Sequence, residues 1–277
     1  MKRLLFILIG VCLVSGAVAC RKHIPFIDAD HPLHTEGGSG KMYEKSPDAI
    51  RFVQYNVGVF SKFMADSSPL CASILKSLEA DVVGLNELDC NNSRHNIYQM
   101  QVFAEQKMGS EWEWNYQASM NYKGGTYGNG VMTRLGPVTD RWGNNLPCDD
   151  GSEPRSMCVI ETANFVAVSA HLDNTTANSA VMAAEGLNQY VTEKYGESSK
   201  LVVLMADTNT RKTTPAMTEL QKSWTIAATD GRFDYVLVLN NKAKYRVVSS
   251  AVVARSDAGD VSAASDHNPV YADIVLL

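Results

Sequence analysis

Asp81-Val82-Val83-Gly84-Leu85-Asn86-Glu87 is a short apolar run that ends in two polar residues. A run of this length, rich in β-branched residues and without alternation, reads as a strand buried on both faces. The pattern recurs along the chain. Ile50-Arg51-Phe52-Val53-Gln54-Tyr55 leads to Asn56, Phe165-Val166-Ala167-Val168-Ser169-Ala170 to His171, and Leu201–Ala206 to Asp207-Thr208-Asn209. Ser265-Asp266-His267-Asn268 precedes a last run, and Asp234 lies inside Phe233–Leu239, where a carboxylate is costly unless paired or hydrogen-bonded. Taken singly, each position has a structural explanation: a turn or cap for Asn and Asp, a satisfied strand-end histidine, half of an ion pair for Asp234. Six such positions together point to one site, because open α/β folds gather ligands at strand ends.

Around these runs, strands are predicted at 50–56, 81–86, 112–117, 130–134, 157–161, 165–170, 201–206, 233–239, 245–254 and 270–276. Helices are predicted at 69–79, 93–107, 177–194 and 214–222, with Ser93 as an N-cap and Pro69 in a first turn. Many strands with few helices suit packed sheets with helices outside. The aromatic cluster Trp112-Glu113-Trp114-Asn115-Tyr116 alternates with period two, which favours core packing over base stacking or lipid contact.

Of the 277 residues, 45% are apolar and 20% charged, the balance of a folded globular chain. Disorder, collagen-like repeats, coiled coil and a multi-span membrane protein are excluded as the main architecture. The net charge of -5 offers no broad basic surface for nucleic acid. Lys41, Lys45, Lys123, Arg134 and Arg141 are scattered rather than clustered.

The N-terminus reads as an address. Met1-Lys2-Arg3 precedes an apolar stretch that ends in Ala17-Val18-Ala19-Cys20, so residues 1–19 are expected to be an export signal. Cleavage after Ala19 suits a soluble secreted protein, and it also suits a bacterial lipoprotein whose Cys20 is acylated. The second reading is favoured, although Ala17 stands where such signals usually carry Leu. It implies an exported protein tethered to a membrane through Cys20, in the periplasm or at the cell surface. Residues 20–48, rich in Pro and Gly, read as a flexible linker in which His23, His31 and His34 show no recurring ligand spacing. Residues 49–277 read as one domain, expected to be monomeric. Cys71, Cys90, Cys148 and Cys158 are either disulfide partners, with Cys148–Cys158 the first pair to test, or buried free thiols.

The quoted segments resemble the endonuclease/exonuclease/phosphatase superfamily. The resemblance runs in order from Arg51 to Ala272. It includes Gln54-Tyr55-Asn56, Val83–Asp89, Tyr127–Arg134, Glu153-Pro154-Arg155, Ser169–Asp173, Ala206–Asn209, Arg232–Tyr235 and Ser265–Val270. It implies an α/β four-layer sandwich, two packed mixed β-sheets with helices on both outer faces (DNase I-like). It also implies hydrolysis of a phosphate ester by activated water with Mg²⁺ or Mn²⁺. By the same resemblance Glu87 is the main metal ligand, helped by Asn56 and Asp266, and Asp234 pairs with His267. Asp207 and Asn209 orient water and phosphate, His171 contacts the phosphate, and Arg155 binds substrate. Whether His267 or Asp207 takes the proton stays open.

Three departures stand out. Asn86 replaces the usual Gln, Ala206 replaces a Gly, and Ala177–Ala184 lacks the usual Arg and Gln. No implied ligand is lost, which disfavours an inactive binding lipoprotein. A small or lipid-linked phosphate ester, diester or monoester, is the expected substrate. A nuclease is the alternative, disfavoured because DNA affinity rests on phosphate neutralisation.

Overall fold

The computed structural model describes residues 41–277. The export signal, Cys20, the tail histidines and most of the linker lie outside the described residues. Within 41–277 the runs identified above pair into two six-stranded sheets. The first contains β1 (Ile50–Asn56), β2 (Val82–Cys90), β3 (Glu113–Tyr122), β4 (Gly125–Thr133), β11 (Tyr245–Val252) and β12 (Val270–Leu276), in the order β11-β12-β1-β2-β4-β3. The second contains β5 (Val138–Leu146), β6 (Arg155–Thr162), β7 (Phe165–His171), β8 (Leu201–Asp207), β9 (Trp224–Thr229) and β10 (Asp234–Leu239), in the order β5-β6-β7-β8-β10-β9.

Each sheet is antiparallel except for one parallel pair, β1 with β2 and β7 with β8. A parallel pair needs a crossover connection. Helix α1 (Ser68–Ser77) provides it on the first sheet and α3 (Ala177–Tyr195) on the second. A short α2 (Gln99–Gln101) continues as a π-helix over Val102–Met108, and α4 (Pro215–Leu220) and α5 (Val261–Ala264) complete the helices.

Three apolar layers hold the sandwich together. Phe52, Val131, Ile160, Phe165, Val203, Met205 and Ile274 fill the space between the sheets. Ile74, Leu75 and Phe103 cover the outside of the first sheet, and Leu187, Val191 and Met217 the outside of the second. The expected four-layer architecture is therefore the one observed. Gly84 sets how closely the sheets approach: a Cβ there would lie 2.6 Å from the Met205 Cβ.

The structure corrects several local expectations. The helix predicted at 93–107 begins only at Gln99. The Asn92 side chain accepts from the backbone N–H groups of Arg94 and His95, which closes a turn, and Tyr98 bridges to Cys90. Ser93 is thus no N-cap. Strands β5 and β9 were not predicted. β5 is a polar edge strand, exposed along much of its length, so it lacks the apolar run that marks the others. β3 and β4 are longer than expected and meet at Lys123-Gly124, both with positive φ, which gives the turn the twist a two-residue hairpin needs. Trp112 is in the outer core, with Trp114 and Tyr116 packed against it, as their spacing suggested. The cysteines among the described residues are free thiols, so Cys148 and Cys158 are not paired.

The far end of the first sheet is fastened by one buried cation. Arg51 donates from Nε and Nη2 to the two Asp273 carboxylate oxygens, at 2.7 Å each, and from Nη1 to the carbonyls of Tyr43 and Leu78. The Tyr271 ring covers its guanidinium at 4.1 Å. Removing one partner of such a pair strands the other charge. Arg51→Ala is expected to lower unfolding free energy by about 3–5 kcal/mol. The joint replacement Arg51→Met with Asp273→Leu should recover much of it, both read by urea titration.

Candidate functional site

Strand register gathers the polar strand ends. Asn56 stands beside Asn86 in the pairing of β1 with β2. Asp207 lies between His171 and Asp234, its neighbours on β7 and β10. The pairing of β2 with β4 is irregular between Leu85 and Leu88, and Glu87 sits in that bulge with φ of 61°. A bulge re-aims a side chain, and here it carries the carboxylate to the site at a left-handed backbone conformation. Asn209 holds a similar φ of 50°, with its N–H donating to Asp207 Oδ1 at 2.9 Å.

The two sheets meet through these side chains. Asn56 Nδ2 donates to Glu87 Oε1 at 3.0 Å and to Asp207 Oδ2 at 2.8 Å. His267, from the loop before β12, brings Nδ1 to 2.7 Å from Asp234 Oδ2 and Nε2 to 3.8 Å from Asp207 Oδ2. The expected Asp234–His267 dyad is present, and Asp207 adjoins it. On the other side, Asn209 Nδ2 lies 2.8 Å from His171 Nε2, and Arg155 Nη1 donates to His171 Nδ1 at 3.1 Å.

Electrostatics divide the roles. Asp207 is buried, and that burial together with the charge of Asp234 pushes its carboxyl up to about 7. Burial likewise raises Asp234, against the hydrogen bond from His267. Burial alone would discharge the His267 ring. The hydrogen bond to Asp234 and the charges of Asp234, Asp207 and Asp266 outweigh it and push the ring up to about 10. We place the proton on the imidazole, because each ring nitrogen faces a carboxylate. His171 is the opposite case: burial, then the charges of Arg155 and His267, hold it well below the usual histidine range, so it stays neutral.

Beneath these groups lies a floor of amides that the sequence reading did not assign. Gln54 Nε2 donates to Asn86 Oδ1 at 2.6 Å and to Asp234 Oδ1 at 3.1 Å. Asn86 Nδ2 donates to Asn129 Oδ1 and to the carbonyl of Ala170, and Asn129 donates to Ser156. Their signal was available, since each sits in a quoted motif, Gln54 two residues from Asn56 and Asn86 next to Glu87.

One cluster of ligand atoms among the described residues has the spacing to hold a cation. Asp207, Asp234 and His267 each offer a ligand atom, all within 4.8 Å of one another. There, however, the imidazolium already neutralises the carboxylates. The ligands implied by the resemblance are Asn56, Glu87 and Asp266: Asn56 Nδ2 faces Glu87 and its Oδ1 accepts from the Gly58 N–H, while the carboxylates of Glu87 and Asp266 suit a hard divalent cation. The ammonium of Lys62, another residue missed from sequence, lies 2.8 Å from Asp266 Oδ2 and senses the Glu87 charge, so a cation is already favoured at that spot.

No protein-family model matches this sequence, and no curated protein does. Among solved structures the fold is similar to an endonuclease/exonuclease/phosphatase from Bacteroides vulgatus, at 17% identity and a TM-score of 0.64, over 83% of this chain and 99% of that one. It is similar to a mannosyl-6-phosphatase from Bacteroides thetaiotaomicron, at 14% identity and 0.61, over 82% and 100%. It is also similar to the catalytic domain of human Nocturnin with bound sulfate, at 12% and 0.62, over 84% and 97%. At these identities the likeness establishes the fold.

Because Lys62 competes for the acidic pair, Lys62→Met is expected to tighten Mn²⁺ binding about two- to fivefold, the range for a partly exposed ion pair. Isothermal titration of the chelator-treated protein checks this, and an unchanged affinity would place Lys62 outside the cation's reach.

Proposed function

We propose that this chain, built on the DNase I-like fold, is a phosphoric ester hydrolase dependent on Mg²⁺ or Mn²⁺. The observation that carries the reading is the meeting of Asn56, Glu87, Asp207 and the Asp234–His267 dyad across the two sheets within hydrogen-bonding distances. Three carboxylates, with Asp266 beside them, one imidazolium and neutral amide donors form the parts list of phosphoryl transfer, where positioning and charge neutralisation matter more than covalent chemistry.

In this reading Asn56, Glu87 and Asp266 hold the divalent cation, which when bound supplies Lewis-acid polarisation of the ester. Asp207 takes the proton of the attacking water. Its carboxyl is raised toward neutrality, and Asn209, held by Asp207, helps to orient that water. His267 is unsuited to be the base, since both ring nitrogens already face carboxylates. It presents positive charge to a phosphate oxygen, with Asp234 fixing its orientation. His171, kept neutral, and Arg155, whose Nε has no partner among the described residues, complete the phosphate side.

We infer a small or lipid-linked ester rather than nucleic acid, supported by the net acidic charge and the scattered bases. The signal and Cys20 read from the sequence support export and a membrane tether.

The full chain is expected to hydrolyse bis-p-nitrophenyl phosphate or a phosphomonoester with Mg²⁺ and to lose that activity in EDTA. Asp207→Asn should lower kcat by about 10²–10⁴, the usual contribution of a positioned base. Activity indifferent to EDTA would remove the metal-dependent reading. Plasmid nicking as fast as the best small substrate would reassign the enzyme as a nuclease.

A further inference from the structure

A cavity of about 170 Å³ that the chemistry above does not use is lined by residues that follow Asn56 and Glu87 along the chain. Its walls are Val59, Phe60, Ile97, Val102 and Phe103, with His95 among the polar residues of its lining. Phe60 and Phe103 stack at 4.7 Å and form a flat aromatic wall.

Both walls grow out of the site itself. One follows β1: Gly58 N–H donates to the Asn56 side chain, and a Cβ on Gly58 would lie 3.6 Å from Asp266 Oδ1. The next two residues, Val59 and Phe60, line the cavity, and the same loop carries Lys62 to Asp266. The other wall follows Glu87 along β2. Asp89 receives Arg94 through two nitrogens and His95 Nδ1 at 2.6 Å. Gln99 ties the walls together, donating to the Val59 carbonyl at 2.7 Å and accepting from the Asp89 N–H.

Gly58, Val59 and Phe60 all have φ between 51° and 55°. A β-branched residue takes that conformation only when its surroundings impose it. Here it turns the two apolar side chains away from solvent to make the wall. Phe63, Met64 and Ile97, 59%, 37% and 47% exposed, stand on the two bordering segments.

Given the phosphoesterase reading, on which this step rests, we propose that the cavity receives a single ring-sized apolar group carried by the alcohol that leaves the phosphate. A closed apolar cavity of about 150 Å³ takes one benzene, so the volume of this open-mouthed cavity fits one ring. The nearness to Asn56 and Asp266 places such a group on the substrate's own leaving side. Asp89 occupies His95 Nδ1, and no described residue bonds its second nitrogen, which is left for a hydroxyl or carbonyl on the ring.

The test compares phenylphosphonate with methylphosphonate by isothermal titration, using the full chain with Mg²⁺. Phenylphosphonate is expected to bind about tenfold tighter, the effect of burying one ring's apolar surface. Ala65→Phe, on the exposed loop and filling the cavity, should erase that preference and leave methylphosphonate unaffected. Ile97→Ser should shrink it without changing the core. Equal affinities in the unaltered chain, or a preference that survives both variants, would overturn the cavity assignment. If esters are still hydrolysed, the reading of the acid site stands. A phenyl preference without hydrolysis of any ester would uphold the cavity and overturn that reading instead. Binding to phosphatidylcholine vesicles that Phe63→Ser abolishes would overturn the small occupant in favour of a lipid surface.

Discussion

Asp207 and Asp234 face each other across adjacent strands, both about 1% exposed. Two bare carboxylates cannot share so dry a space, because each raises the cost of charging the other. The chain answers with His267, whose ring reaches from the loop before β12 in the first sheet to acids held by the second. One imidazolium therefore neutralises a repulsion, crosses the sandwich and sets a cationic group beside the carboxylate proposed to activate water. Its structural and chemical roles rest on the same contacts.

The amide floor follows from that arrangement. A carboxylate only accepts, whereas an amide both donates and accepts, so a chain of amides can pass hydrogen bonding from one sheet to the other. Gln54, Asn86 and Asn129 do this beneath the acids. Asn86 is one methylene shorter than the Gln usual in the resembling family. Gln54 supplies the reach, touching both Asn86 and Asp234.

Much of this was legible because the site sits where buried strands end. A continuous apolar run closed by Asn56, His171 or Asp207 states its burial and its exit point in the same few residues, whereas the strand expected to end before Glu87 runs on to Cys90 with Glu87 in its bulge. What stayed hidden depends on other physics. β5 is an edge strand with a polar sequence, so it carries no apolar run. The stretch from Ser93 to Tyr98 looks helical by spacing, but Asp89 and Asn92 capture its donors and hold it as a turn. Lys62 lies in a loop without periodicity, and only the left-handed turn at Gly58–Phe60 directs it to Asp266. Loop side chains acquire their roles from three-dimensional paths that no local spacing encodes.

The charge balance bears on the proposed chemistry. Glu87, Asp207, Asp234 and Asp266 crowd together with His267, Lys62 and the guanidinium of Arg155 as the nearby described cations. Arg155 is partly engaged by Glu153 at 3.1 Å, and His267 shares its charge between Asp234 at 2.7 Å and the more distant Asp207 at 3.8 Å. A phosphate ester would bring at least one more negative charge into this space. Without further positive charge the site repels its own proposed substrate, and at close range in a poorly screened pocket that repulsion is large. A divalent cation held by the proposed ligands Asn56, Glu87 and Asp266 would reverse the sign where the proposed ester binds. The acidity that makes the pocket unsuited to a bare anion is, on this argument, what makes metal and substrate bind together.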